Sequence, residues 1–163
     1  MDTLWAPWRM AYVKKVAPVG SCLFCETGGN EQDEQSLVLY RSSFVFIQMN
    51  LYPYNPGHLM IAPYRHVATL WELSSDEQHE LIRQTARSAS LLQQTMNADG
   101  FNMGINQGKA AGAGVEHHLH AHIVPRWSGD TNFMPVVAET KVIPEDLTVT
   151  YQKLAPVFSK TLR

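Results

Sequence analysis

His117-His118-Leu119-His120-Ala121-His122-Ile123-Val124 is the stretch on which the reading of this sequence turns, because four of the chain's seven histidines fall inside it. In an extended chain successive side chains point to opposite faces. His118, His120 and His122 therefore share one face of a strand over 118–124, and Leu119, Ala121 and Ile123 share the other. The apolar face needs a helix to bury against, and the imidazole row lines a site. Same-face side chains are roughly 6.5–7 Å apart, a spacing that suits successive groups of one extended ligand. A polar face that is His-rich by accident, or a metal-binding tract, would be the alternatives. Three in-phase imidazoles in a chain with so few histidines favour a functional row. A neutral imidazole is a competent nucleophile toward phosphorus, and its phosphoramidate can be resolved by a second acceptor. Neighbouring imidazoles can contact the non-bridging oxygens, where charge builds up in the transition state.

Working outward, Asn106-Gln107-Gly108-Lys109-Ala110-Ala111-Gly112-Ala113-Gly114 precedes the row. Small residues let backbone N–H groups approach an anion, although an ordinary hairpin loop explains the same composition. It is not a Walker loop, for no Gly-Lys-Ser/Thr ending is present. Before this loop lies a helix. Ser74 or Ser75 caps it, Asp76 and Glu77 occupy its first turn, and Leu81, Ile82, Ala86, Ala89, Leu92 and Met96 recur at helical spacing as a core stripe. Asn97 and Gly100 end it. Strands are expected over 36–40, 44–49, 58–62 and 101–106, with a rigid turn at Tyr52-Pro53-Tyr54-Asn55-Pro56-Gly57. Pro144-Glu145-Asp146 starts a C-terminal helix to about Phe158, shortened or kinked by Pro156. The expected class is α+β, a single domain over 1–163. Its parts are an aromatic N-terminal arm (1–20, with Trp5 and Trp8), a core with an antiparallel sheet (21–127), and a C-terminal extension (128–163).

Cys22-x-x-Cys25 holds the chain's only two cysteines. A redox dithiol normally opens a helix, and Glu26-Thr27-Gly28-Gly29 is not expected to sustain one, so 27–35 reads as a loop. Tetrahedral zinc would need two histidines to complete the pair. With so few cysteines a reducing cytoplasm is the expected setting. A net charge of −2 argues against binding nucleic acid through bulk phosphate neutralisation, and no apolar run is long enough to span a bilayer. His79, on the helix, reads as a surface residue.

The row matches the histidine-triad pattern, His-φ-His-φ-His-φ-φ, and Pro56-Gly57-His58-Leu59 and Pro63-Tyr64-Arg65-His66-Val67 look like that family's other recurrent segment. The N-terminal Leu4-Trp5-Ala6-Pro7-Trp8-Arg9, the stretch from Asn50 to His58 and Trp127 resemble the branch containing diadenosine-polyphosphate phosphorylases and hydrolases. The resemblance implies a HIT-like sheet and a nucleotidyl-histidine mechanism. His120 would attack the α-phosphate of an adenine nucleotide, with His118 and His122 flanking it. Asn50 would meet the ribose, Asn106 the phosphate, and His58 would point into the same pocket. Many members carry Gln and a hydroxyl residue just before the row. Here Gly112-Ala113-Gly114-Val115-Glu116 has neither, so backbone N–H groups must serve. Simple hydrolysis of nucleoside phosphoramidates is then less favoured, and inorganic phosphate can be the acceptor. By the same resemblance, Cys22, Cys25, His66 and His118 would hold a structural zinc, with His117 able to replace His118. The chain would be a homodimer, with Trp5, Trp8 and Trp127 buried at the subunit contact. The rival readings are a non-catalytic AMP sensor and a hydrolase whose histidine row carries a catalytic metal.

Overall fold

Two strands whose every residue is buried organise the chain: Val45–Met49 (β2) and Leu59–Pro63 (β3), after Val38–Arg41 (β1). A strand buried on both faces must be covered on both, and here two unequal layers do so. In the computed structural model, which describes residues 22–131 and 143–162, Gly100–Ile105 (β4) and Ala121–Arg126 (β5) complete a five-stranded antiparallel sheet. Its strand order is β1-β2-β3-β5-β4. The expected N-terminal arm, with Trp5 and Trp8, lies outside the described residues.

One face carries the main core. Val45, Ile47, Leu59, Ile61, Leu119, Ala121 and Ile123 pack there with Leu81, Leu91 and Leu92 of the long helix Ser75–Met96 and Leu154 and Phe158 of the C-terminal helix. The long helix begins at the expected cap. Ser74 Oγ accepts from Glu77 N, and Glu77 Oε2 accepts from Ser74 N at 2.7 Å. It ends at Asn97, whose φ of 51° is left-handed. The expected stripe is rotated, however. Ile82 is 64 % exposed and Ala86 is exposed, while Gln84 and Ser88 are fully buried. The sheet sees the line Leu81, Gln84, Ser88, Leu91 and Leu92, so packing rather than hydropathy sets the buried face.

The C-terminal helix spans Leu147–Thr161 and runs through Pro156 without stopping. In the turn before β3, Gly57 has φ +73°, and a Cβ there would lie 2.6 Å from Met96 Sδ and 3.2 Å from Leu92. The turn and the helix approach each other only because that residue has no side chain. Asn55 Nδ2 locks the same turn by donating to the Pro125 carbonyl and to Asp130.

The opposite face is covered by less. A smaller cluster of Phe24, Val38, Phe46, Met60 and Ala62 lies there. Phe24 belongs to a seven-residue helix, Leu23–Gly29, where the sequence reading expected none. Arg41 explains it. Its guanidinium donates to the carbonyls of Thr27, Gly28 and Asn30 and pairs with Asp33, so the open C-terminal end of that helix is satisfied from the sheet. With the helices numbered in chain order, Leu23–Gly29 is α1, Ser75–Met96 is α2 and Leu147–Thr161 is α3. Among the described residues, no helix is long and apolar enough to cross a membrane.

Candidate functional site

Strand β5 begins at Ala121, later than the expected 118, so His118 and His120 lie in an extended lead-in. The cause is pairing: Leu119 N donates to the Val67 carbonyl in the β3–α2 loop instead of joining a ladder. The alternation still holds. Leu119, Ala121 and Ile123 enter the main core, while His118, His120 and His122 face the other way. His122 pairs with Met60 on one side and Gly104 on the other, at mid-sheet.

Backbone groups determine where each ring proton sits. A carbonyl only accepts, so His120 Nδ1 must donate to the His118 carbonyl at 2.8 Å, and its Nε2 carries the lone pair. His118 Nε2 likewise donates to the Pro63 carbonyl at 2.8 Å, leaving the Nδ1 lone pair facing Cys22 Sγ at 3.3 Å. An amide N–H only donates, so Tyr54 N–H hydrogen-bonds to the His58 Nδ1 lone pair. His58 Nε2 then donates to His122 Nδ1 at 3.0 Å, and the His122 proton is on Nε2. Two adjacent imidazoles thus carry opposite faculties: His120 an electron pair, His122 a proton. Burial pushes both His118 and His120 below the usual histidine range, partly offset by their carbonyl bonds, so both rings are held neutral.

A cavity of about 620 Å³ opens on these rings. Of the residues expected in the site, Asn50, Asn106, Gly112, Gly114, His120 and His122 line it. His58, 1 % exposed, does not; it stands behind His122 as the group that orients it. Ala113 and the exposed Lys109 are not on the wall either. The glycine loop is a short 3-10 turn whose amides at Gly112 and Ala113 donate to the carbonyls of Lys109 and Gly108. Those N–H groups are consumed within the loop. Asn50 Oδ1 accepts from Tyr52 N at 2.9 Å, and its amide nitrogen lies 3.4 Å from His58 Nδ1.

Several wall residues carried no signal in the reading. Leu51, Tyr52, Pro53 and Tyr54 could have been inferred from their place between Asn50 and His58. Ile143–Leu147, which completes the wall from the C-terminal extension, carries a helix-start signal but none that points to the site. Trp127 is half-buried, and its indole N–H donates to the Met96 carbonyl at the end of α2. His79 is exposed, as expected.

On the far side of His118 a second cluster forms. Cys22, Cys25, His66 and His118 bring one donor atom each to within 4.8 Å of one another. Cys25 Sγ is 3.2 Å from His66 Nδ1 and 3.5 Å from His118 Nδ1. His117, exposed, is not part of it.

Residues 31–129 match the HIT domain family model. Over 168 aligned positions the chain is 38 % identical to a protein of Mycobacterium tuberculosis named AP-4-A phosphorylase, with 98 % of this chain and 86 % of that protein covered. It is 36 % identical over 92 residues to bis(5'-adenosyl)-triphosphatase of Dictyostelium discoideum, spanning 56 % of this chain and 61 % of the relative. Among solved structures, a zinc-bound histidine triad family protein of Mycobacterium smegmatis superposes with a TM-score of 0.67 at 22 % identity. The superposition covers 86 % of this chain and 94 % of that one.

Proposed function

The chain belongs to the HIT-domain family, and from that premise we propose that it cleaves dinucleoside polyphosphates at the α-phosphate through a covalent nucleotidyl-His120 intermediate. The observation that carries the reading is the pair of opposed tautomers: His120 with a bare Nε2 beside the cavity, His122 with a proton on Nε2. In the first step the His120 Nε2 lone pair forms a bond to the α-phosphorus, and the P–O bond to the rest of the polyphosphate breaks. The leaving oxygen accepts a hydrogen bond from His122 Nε2–H and departs as the polyphosphate anion. With diadenosine tetraphosphate, ATP departs and AMP stays on His120. In the second step the acceptor attacks the phosphorus, the P–N bond breaks with its electron pair returning to His120 Nε2, and the acceptor's proton passes to solvent. Water as acceptor yields AMP; inorganic phosphate yields ADP. Asn50 is the ribose contact, and Asn106 and Gly114 on the cavity wall meet the phosphates. The relative named as a phosphorylase, together with the lack of an amide or hydroxyl side chain over 112–116, supports phosphate as acceptor.

The Cys22, Cys25, His66 and His118 cluster fits zinc. Two sulfurs and two imidazoles form a tetrahedral donor set, and the His118 tautomer already turns a lone pair toward them, with the Pro63 carbonyl as its outer partner. The ion would clamp α1 to the lead-in before β5 and take no part in bond breaking. The chain is read as one histidine-triad domain over 1–163, acting in the cytoplasm, where its two unbridged thiols stay reduced. The homodimer reading is supported by β4, an edge strand without charge or proline to deter pairing with a second copy.

The test is product analysis. Diadenosine tetraphosphate incubated with and without inorganic phosphate should give ADP only when phosphate is present; AMP in both cases assigns water. Binding without any burst of released ATP would establish the sensor reading instead. Loss of turnover on chelation with the fold intact would establish the catalytic-metal one.

A further inference from the structure

Resting on the reading of His120 as nucleophile, we propose that Phe24, the third residue of the Cys22-Leu23-Phe24-Cys25 turn, is a positioning residue that holds the His120 ring on its line of attack.

Three observations carry this. Phe24 is 1 % exposed and does not line the cavity, so it is not a base-stacking surface. Its ring centroid lies 4.7 Å from that of His120, tilted 33°, and 5.2 Å from that of His118. Both are ordinary distances for packed aromatic pairs. Third, the hydrogen bond that orients the His120 ring is Nδ1–H to the His118 carbonyl. One such bond anchors the ring at a single edge, and a flat neighbour against its face removes the remaining freedom to tilt. The other close ring, His122, meets His120 edge-on at 76° and 4.8 Å, and it is itself occupied with His58.

The location of Phe24 gives the cysteine turn a purpose beyond stability. The side chain between the two thiols packs on the nucleophile, and the carbonyl of the fourth member of the donor set, His118, accepts the hydrogen bond from the nucleophile's Nδ1–H. The clamp and Phe24 are thus one device. Where attack geometry is strict, a displacement of about 1 Å can cost on the order of a hundredfold in rate.

The experiment compares Phe24→Leu with Phe46→Leu. Phe46 is fully buried in the same cluster, with its ring 6.4 Å from Phe24, and it is an equal loss of aromatic volume away from the histidines. Both proteins are loaded with zinc and their metal content measured. The rate constant for ATP release in a single turnover of diadenosine tetraphosphate is then determined; it is a property of each folded molecule and does not depend on the folded fraction. Phe24→Leu should lower that rate constant about 10- to 100-fold with KM within about twofold, while Phe46→Leu changes it less than about twofold at a comparable loss of thermal stability. Phe24→Met, unbranched and closer in volume, serves where the leucine protein gives no measurable turnover, and should show the same split. Equal slowing by the Phe24 and Phe46 substitutions, or an unchanged rate constant in both Phe24 variants, overturns the positioning role. Undiminished turnover in His120→Ala overturns instead the reading it rests on.

Discussion

The two faces of the sheet are built by different means. On one, α2 and α3 lay long apolar surfaces on alternate residues of β2, β3 and β5, and the buried set is almost entirely aliphatic, with Phe158. On the other, α1 covers the sheet with the Phe24 ring, beside a cluster of thiols and imidazoles drawn from three segments of the chain. Hydrophobic burial is non-directional and tolerates exchange of one aliphatic for another. The opposite layer is directional, because His58, His118, His120 and His122 are each oriented by a specific carbonyl, amide or ring. The first face holds most of the buried aliphatic surface and the second the oriented imidazoles, and the strands between them must satisfy both. That is why β2 and β3 are buried at every position.

This contrast predicts that damage to each face reads out differently. The largest effect belongs to the imidazole face: His120→Ala should reduce turnover by more than about a thousandfold, as loss of a nucleophile does, while thermal stability and nucleotide binding by calorimetry stay close to those of the parent. Next comes metal removal. Chelation should lower the melting temperature in calorimetry and raise amide exchange over Leu23–Gly29, while α2 and α3 keep their protection. Uniform loss of protection in all three helices would show that the two layers are not separable. On the aliphatic face, Leu92→Ala should cost about 3 kcal/mol in denaturant unfolding, because Leu92 is fully buried and also abuts the Gly57 turn. Turnover per folded molecule should hold.

The smallest effect is electrostatic and lies at the start of α2. Arg65 and the Ser74 amide hold the Glu77 carboxyl well below its usual range, at about 2. A carboxyl that binds its proton less tightly when folded stabilises the fold fully above its unfolded value of about 4.5. That contribution, about 2 kcal/mol with allowance for the half-exposed Arg65, is lost as the pH falls toward 2. Glu77→Gln should flatten the acid limb of a stability-against-pH curve. An unchanged limb would assign acid sensitivity to other carboxylates, Asp130 among them, which Arg126 also holds low.

Elements with a local cause were readable without coordinates. The serine cap and acidic first turn of α2, its stop at Asn97 and the start of α3 after Pro144-Glu145-Asp146 each lie within a few residues of what they control. The alternation of His118, His120 and His122 is equally local, and it survives although the regular strand starts only at Ala121. Elements with a remote cause were not readable. α1 forms because Arg41, on a strand, satisfies its end. The buried line of α2 runs through Gln84 and Ser88 because the sheet faces that side. His58 was expected on the pocket wall and stands behind it, since its orientation follows from the Tyr54 amide and from His122 across the sheet.

The order of residue types along the chain was therefore enough to identify the imidazole row, the paired thiols, the antiparallel α+β class and the family. Each of these is a pattern of period, spacing or cap, written within a few residues. Only the folded arrangement could decide which nitrogen holds each proton, that the cysteine turn backs the central imidazole, and that Ile143–Leu147 returns from far along the chain to finish the cavity wall. Those outcomes depend on contacts between segments tens of residues apart, and the direction of such contacts is settled by the packing of the whole molecule.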